Sequence, residues 1–274
     1  MSTWHAVAIG IFVWWSSTGV ILMAVRWADR AGGRAHLLAT LCGLPLLAIG
    51  WAGLLSTCDD PTARGAVMAF LSAIAVWGWF ELAFLCGVLT GPNARVCPEG
   101  VPGWERFLRA WGTLAYSELA LLATAVGLIF FAWGTVNPFG VWTFLVLLLA
   151  RVSAKLNLYL GVPNINTEFL PVPMRHLASH FRVARCNALF PVSITLLTFA
   201  TGCWMERLID HEDASGPATG FALLAVLTAL ATLEHWLMVL PLPDAKLWRW
   251  LLPEAPQHPR DPAAHDVARK RRRA

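Results

Sequence analysis

The segment PFGVWTFLVLLLARVSAKLNLYLGVPNINTEFLPVPMRHLASHFRVAR, residues 138–185, decides how this chain is read. It opens as an apolar run of the roughly 20 residues that a helix needs to cross a bilayer. Inside that run stand two cations, Arg151 and Lys155, four positions apart and therefore on one helix face. Charge at such depth is costly and usually functional. The run then turns polar at Asn157, passes Pro163, Asn164 and Asn166, and reaches His176 and His180. A span that served only as an anchor would not need this chemistry.

The rest of the chain supports the membrane reading. Of 274 residues, 57% are hydrophobic and 14% charged, and the mean hydropathy is +0.57. Soluble domains carry about 25% charged residues. The pattern predicts seven spans, at about 4–25, 35–55, 65–90, 112–134, 138–160, 188–209 and 218–240. Backbone groups in lipid must pair within their own segment, so these are helices and the fold class is an all-α polytopic bundle. The reading assigns 1–250 to a seven-helix membrane domain. Residues 251–274 form a basic tail, Pro-rich and then RKRRR, expected to be disordered. The tail either touches anionic lipid or is simply solvated.

No Lys or Arg precedes the first apolar run, so it reads as an uncleaved anchor rather than a signal peptide. Of the 21 Lys and Arg, 17 fall in the loops after spans one, three and five and in the tail, and only Arg64 and Arg207 lie on the other side. The positive-inside rule then places the N-terminus outside and the C-terminus in the cytoplasm. The basic balance is a topology signal and carries no nucleic-acid message.

Six cysteines show no metal spacing. Cys58 and Cys203 are near enough in predicted depth to pair, but free packing thiols are expected. Trp27, Trp111, Trp133, Trp204 and Trp236 fall near span ends as an aromatic belt does, whereas Trp14, Trp15, Trp51, Trp77 and Trp79 are predicted to pack deeper. Residues 91–111 read as a loop of turns. In the next long connection, 161–187, Pro173 opens a short helix whose Met174, Leu177, Phe181 and Ala184 make an apolar stripe, predicting an interfacial helix on the cytoplasmic side.

Ionisable groups recur in four spans: Glu81, Glu118, Arg151 with Lys155, and Glu234 with His235. The predicted topology puts all of them roughly 8–15 Å from one boundary, at 1.5 Å rise per residue. They form one polar layer in which carboxylates and cations neutralise each other, with Asn157, Tyr116 and Ser117 as further partners. Two readings stay open: an ion-pair network that fixes helix order, or a cytoplasm-facing pocket for a ligand. His176, His180, His235 and Glu168 are candidate metal or pigment ligands, since imidazole and carboxylate suit iron or zinc. Ala231-Thr-Leu-Glu-His235 leaves room for a macrocycle one turn before the imidazole. The Glu-x-x-His pairs of di-iron bundles are absent, and the metal stays unassigned.

The segments KLNLYLGVPNINTEFLP (155–171), HLASHF (176–181) and EHWLMVLPLPDAKLWRW (234–250) resemble the PuhE-like photosynthetic complex assembly protein 2 family of purple phototrophic bacteria, over essentially the whole chain. The resemblance implies a multi-pass protein of the bacterial inner (intracytoplasmic) membrane. It implies a role in assembling the reaction centre and its light-harvesting ring and in modulating bacteriochlorophyll supply or insertion. Implied partners are reaction-centre or light-harvesting subunits, pigment-synthesis proteins and membrane lipid, with bacteriochlorophyll or a precursor as a cofactor to consider. It carries over no catalytic residue. The alternative is a membrane enzyme or carrier acting on a tetrapyrrole or lipid-soluble substrate at the polar layer. A transporter is disfavoured, because the outer halves of the spans lack polar groups to complete a path.

Overall fold

The structure is a computed structural model and describes residues 2–241; the basic tail expected from residue 251 lies outside them. Nine α-helices follow in order: α1 (Thr3–Ala31), α2 (Ala35–Cys42), α3 (Leu44–Thr57), α4 (Ala63–Leu85), α5 (Gly103–Gly112), α6 (Ala115–Phe131), α7 (Phe139–Leu160), α8 (Leu189–Ile209) and α9 (Gly216–Leu237). Two 3₁₀ segments, Thr167–Phe169 and Val172–His180, lie between α7 and α8. Taking α2 and α3 as one broken span, six are long and apolar enough to cross a membrane, and the bent pair α5–α6 makes a seventh candidate.

The break at Gly43 follows from Pro45, which lacks the N–H that would continue the α2 ladder. The Trp79 indole N–H on α4 donates to the Thr40 carbonyl at 3.1 Å, satisfying a group at the break that lipid could not. Small residues then bring α3 against α4. A Cβ on Gly50 would stand 2.8 Å from the Val76 side chain and 3.0 Å from the Ser72 carbonyl. Thr62 and Ser215 cap α4 and α9 by accepting from Gly65 N and Ala218 N at 3.0 and 3.2 Å.

These two capped helices are the most enclosed. On one side α4 packs Phe70 and Ile74 against Ala6 of α1 and Leu223 and Leu227 of α9. On another, Val76 and Trp77 meet Leu121 of α6 and Phe144 of α7, with the Trp77 and Phe144 rings edge to face at 5.5 Å. By contrast α8 leans on α9 and buries only Phe190 and Ser193.

Two connections differ from the sequence reading. Residues 103–112, predicted as loop, form α5, which meets α6 at 67°. Its Trp104, Leu108 and Trp111 are exposed along one side, and Glu105 and Arg109 pair four residues apart at 2.6 Å. Helix α6 has 17 residues, about 26 Å at 1.5 Å per residue, so it falls short of a bilayer and α5 turns aside. The helix expected at Pro173 is present but winds as a 3₁₀ segment that ends at His180. Its buried side chains are Met174, Leu177 and His180, spaced by three, and Met174 and Leu177 pack under Phe84. Phe181 is only partly buried, and Ala184 lies beyond the helix beside an isolated bridge between Val162 and Val183. All six cysteines are free. Trp77 is enclosed as predicted, but Trp15 is 47% exposed.

Candidate functional site

Arg151 projects from α7 into the space between α4 and α6, where it is 8% exposed. Its guanidinium pairs with Glu81 on α4 and, through Nε, with Glu118 Oε1 on α6 at 3.1 Å. A third donor reaches Ser117 Oγ at 3.3 Å. One turn along α7, Lys155 Nζ donates to the same Glu118 oxygen at 2.7 Å. Phe84 covers both cations, 4.8 Å from the guanidinium carbon and 4.2 Å from Nζ. Two acids and two bases from three helices thus form a neutral set. Pairing of this quality is what makes buried ions tolerable. Tyr116, expected to join them, points outward and is 56% exposed.

Asn157 and His235 belong to a neighbouring cluster, not to the ion pairs. Asn157 donates to Ser153 O and Ser193 Oγ at 2.9 and 3.0 Å and accepts from Asn187 at 3.0 Å, tying α7 to α8. His235 is bonded through Nδ1 to the Ala231 carbonyl at 2.8 Å and through Nε2 to Ser153 Oγ at 2.9 Å. The carbonyl can only accept, so Nδ1 carries the proton and Nε2 accepts from the hydroxyl. With both ring nitrogens engaged, ligation of a chlorin by His235 would require breaking the bond between α7 and α9.

Glu234 faces the other way. Itself exposed, it lines a cavity of about 260 Å³ between α1, α4, α7 and α9, with Glu81 and Arg151 also in the lining and Trp14, Trp77 and Leu227 among its apolar residues. Among the described residues it makes no hydrogen bond or ion pair. The six ionisable groups of the predicted layer therefore share one end of the bundle, but only Glu81, Glu118, Arg151 and Lys155 bind one another.

The connection 161–187 closes that end. Arg26 at the end of α1 donates to the Glu168 carbonyl at 3.1 Å, and Asp29 Oδ1 accepts from Val172 N at 3.1 Å and from His36 at 2.9 Å. Arg106 of α5 donates to the Tyr159 and His180 carbonyls, both at 2.9 Å, with its guanidinium 4.1 Å above the Tyr159 ring. His176 and His180 sit in this cap with buried Nε2 atoms that have no partner among the described residues. Burial pushes both imidazoles below the usual histidine range, and for His180 the charges of Arg106 and Arg109 push the same way. Glu168 is exposed on its 3₁₀ turn. His176, His180, His235 and Glu168 do not converge, and among the described residues no three His, Cys, Asp or Glu side chains gather as a metal set.

The model of a family described as "Protein of unknown function (DUF3623)" matches residues 1–259. The chain belongs to this family. It is 56% identical over 264 residues to the "Uncharacterized 30.4 kDa protein in puhA 5'region" of Rhodobacter capsulatus, covering 96% of both chains. No solved structure matches.

In this DUF3623 member the residues that sequence reasoning did not single out are mostly small polar ones. Ser153, Ser193 and Asn187 hold α7 to its neighbours, and Asp29 and Arg106 pin the cap. The signal for Arg106 was its place in α5, where Trp104, Phe107 and Trp111 recur at helical spacing. A separate groove of about 490 Å³ runs between α7 and α8, lined by Leu149, Val152, Val192 and Leu196 and ending at Trp142 and Trp204. Its lining is almost wholly apolar.

Proposed function

We propose that this protein is a membrane assembly factor for the bacterial photosynthetic reaction centre and its light-harvesting complex, acting on bacteriochlorophyll supply or insertion. The observation that carries the reading is near-full-length identity to a protein whose name places its gene beside puhA, a reaction-centre gene. The resemblance noted from 155–171, 176–181 and 234–250 points the same way. The bundle's construction is compatible with a scaffold. Its ion pairs are closed on one another, as a structural layer requires, and α8 leaves a flank available to partner helices. On this reading the protein resides in the bacterial inner membrane. The basic end with the 161–187 cap faces the cytoplasm, where pigment precursors and nascent reaction-centre or light-harvesting subunits would be met.

Deletion of the gene in a phototrophic host tests this. Assembled reaction-centre and antenna absorbance is expected to fall while transcripts for the pigment-binding subunits persist, and an affinity-tagged copy is expected to recover those subunits or pigment-synthesis proteins. Unchanged complex levels, or a pull-down free of all of them, would reject the assembly role.

A further inference from the structure

The geometry points to the α1/α4/α7/α9 cavity as a binding site for a bilayer-soluble apolar molecule that presents one O–H or N–H donor to the Glu234 carboxyl. This goes beyond the assembly role and does not depend on it.

Three observations carry the assignment. First, the cavity is walled by Trp14, Ile74, Trp77, Val146 and Leu227, so its occupant is apolar over most of its surface. Second, the cations nearby are already engaged: Arg151 reaches Glu81, Glu118 and Ser117, and Lys155 is held by Glu118. The hydroxyls of Ser17 and Thr18 on the α1 wall donate back to the Trp14 carbonyl. Glu234 is exposed rather than buried and is the lining carboxyl without a partner among the described residues, so its oxygens are free to accept from an occupant, and within a bilayer an unpaired acid is costly. A ligand O–H or N–H supplies the missing bond. Third, the volume of about 260 Å³ lies just below the roughly 300–1,000 Å³ of ordinary ligand pockets, which suits a small ring system or a short chain segment. Gly78 fronts the cavity, and a Cβ there would meet only Ile21 Cδ1, at 3.7 Å, so the space can be filled without displacing backbone.

The test uses the full chain in lipid nanodiscs and two fluorescent probes of one shape: 2-phenylindole, which has an N–H donor, and 2-phenylbenzofuran, which has none. Empty nanodiscs correct for partitioning. Wild type is expected to bind the indole about tenfold more tightly, the ratio that one net hydrogen bond can supply. Glu234→Leu is expected to erase the preference and keep the weaker binding of the benzofuran. Gly78→Leu, which leaves every charge in place, is expected to weaken both probes. Equal affinity of the two probes, no saturable binding, a preference that survives Glu234→Leu, or indifference to Gly78→Leu would each overturn the assignment. None of these outcomes bears on complex assembly, which the deletion experiment reads separately.

Discussion

Glu118 and Glu234 are the same side chain in two membrane helices at one end of the bundle, yet they are held in opposite ways. Glu118 is 7% exposed and takes both Arg151 and Lys155 on one oxygen. Glu234 is exposed, lines a cavity and takes no partner among the described residues. The first arrangement is how a bundle makes charge tolerable in a low-dielectric interior. The second leaves an acid exposed at the cavity with no side chain of the described residues to answer it, which a bilayer tolerates only at a cost. Depth in the membrane therefore does not tell a structural acid from a binding one; the direction in which it leaves its helix does.

The largest effect is expected at Arg151. Arg151→Met leaves Glu81 and Glu118 facing each other without the shared cation, and breaking a buried pair from one side costs about 3–5 kcal/mol. Thermal unfolding of the detergent-solubilised protein should show it as the most damaging single change of the layer. Lys155→Met removes one bond and leaves Glu118 with Arg151, so a smaller loss of about 1.5–3 kcal/mol is expected in the same assay. Arg106→Ala releases the Tyr159 carbonyl at the end of α7 and the His180 carbonyl of the cap. Its effect, about 1–3 kcal/mol, should appear as faster hydrogen exchange in 161–187 with little change in the central helices.

A pH effect is expected in the same cap. His176 and His180 have folded values lowered by burial from an ordinary 6.5, so the unfolded cap binds more protons than the folded one between the two values. Cap stability is accordingly full above about 6.5 and declines as the pH falls from there toward the folded values. Exchange rates in 172–185 measured at pH 7.5 and pH 5 should differ, and His180→Gln should shrink the difference. A cap that tightens on acidification would contradict the burial of these rings. The smallest effect on stability is expected from Glu234→Leu, which breaks no bond and should leave unfolding unchanged or slightly later.

Much of this was legible in the sequence, and the exceptions have physical causes. The long spans follow from apolar length alone. Arg151 and Lys155 could be paired with Glu81 and Glu118 in advance, because ions in separate apolar helices have little else to bind. Helical rise gave each group a depth but no azimuth, so Glu234 was placed in a layer it does not bond to. His235 was considered as a ligand because Ser153, a residue with no pattern of its own, gave no warning that it would take the free nitrogen. Helix α5 is hidden in the sequence by the GPN, CPEG and VPG turns before it, although Glu105, Arg106 and Arg109 occupy one side of a ten-residue amphipathic helix. The Met174 stripe reads as a period of 3.6, and the chain uses three, the repeat of the tighter 3₁₀ helix.

The contrast between the two glutamates is tested most directly by a pair of double-mutant cycles on unfolding free energy, Arg151→Met with Glu118→Leu and Arg151→Met with Glu234→Leu. The expected result is a coupling of more than about 1 kcal/mol for Glu118 and additivity within about 0.5 kcal/mol for Glu234. Coupling of Arg151 to Glu234 as strong as to Glu118 would mean that all the membrane acids form one network, and would contradict the division between a closed ion layer and an open carboxyl.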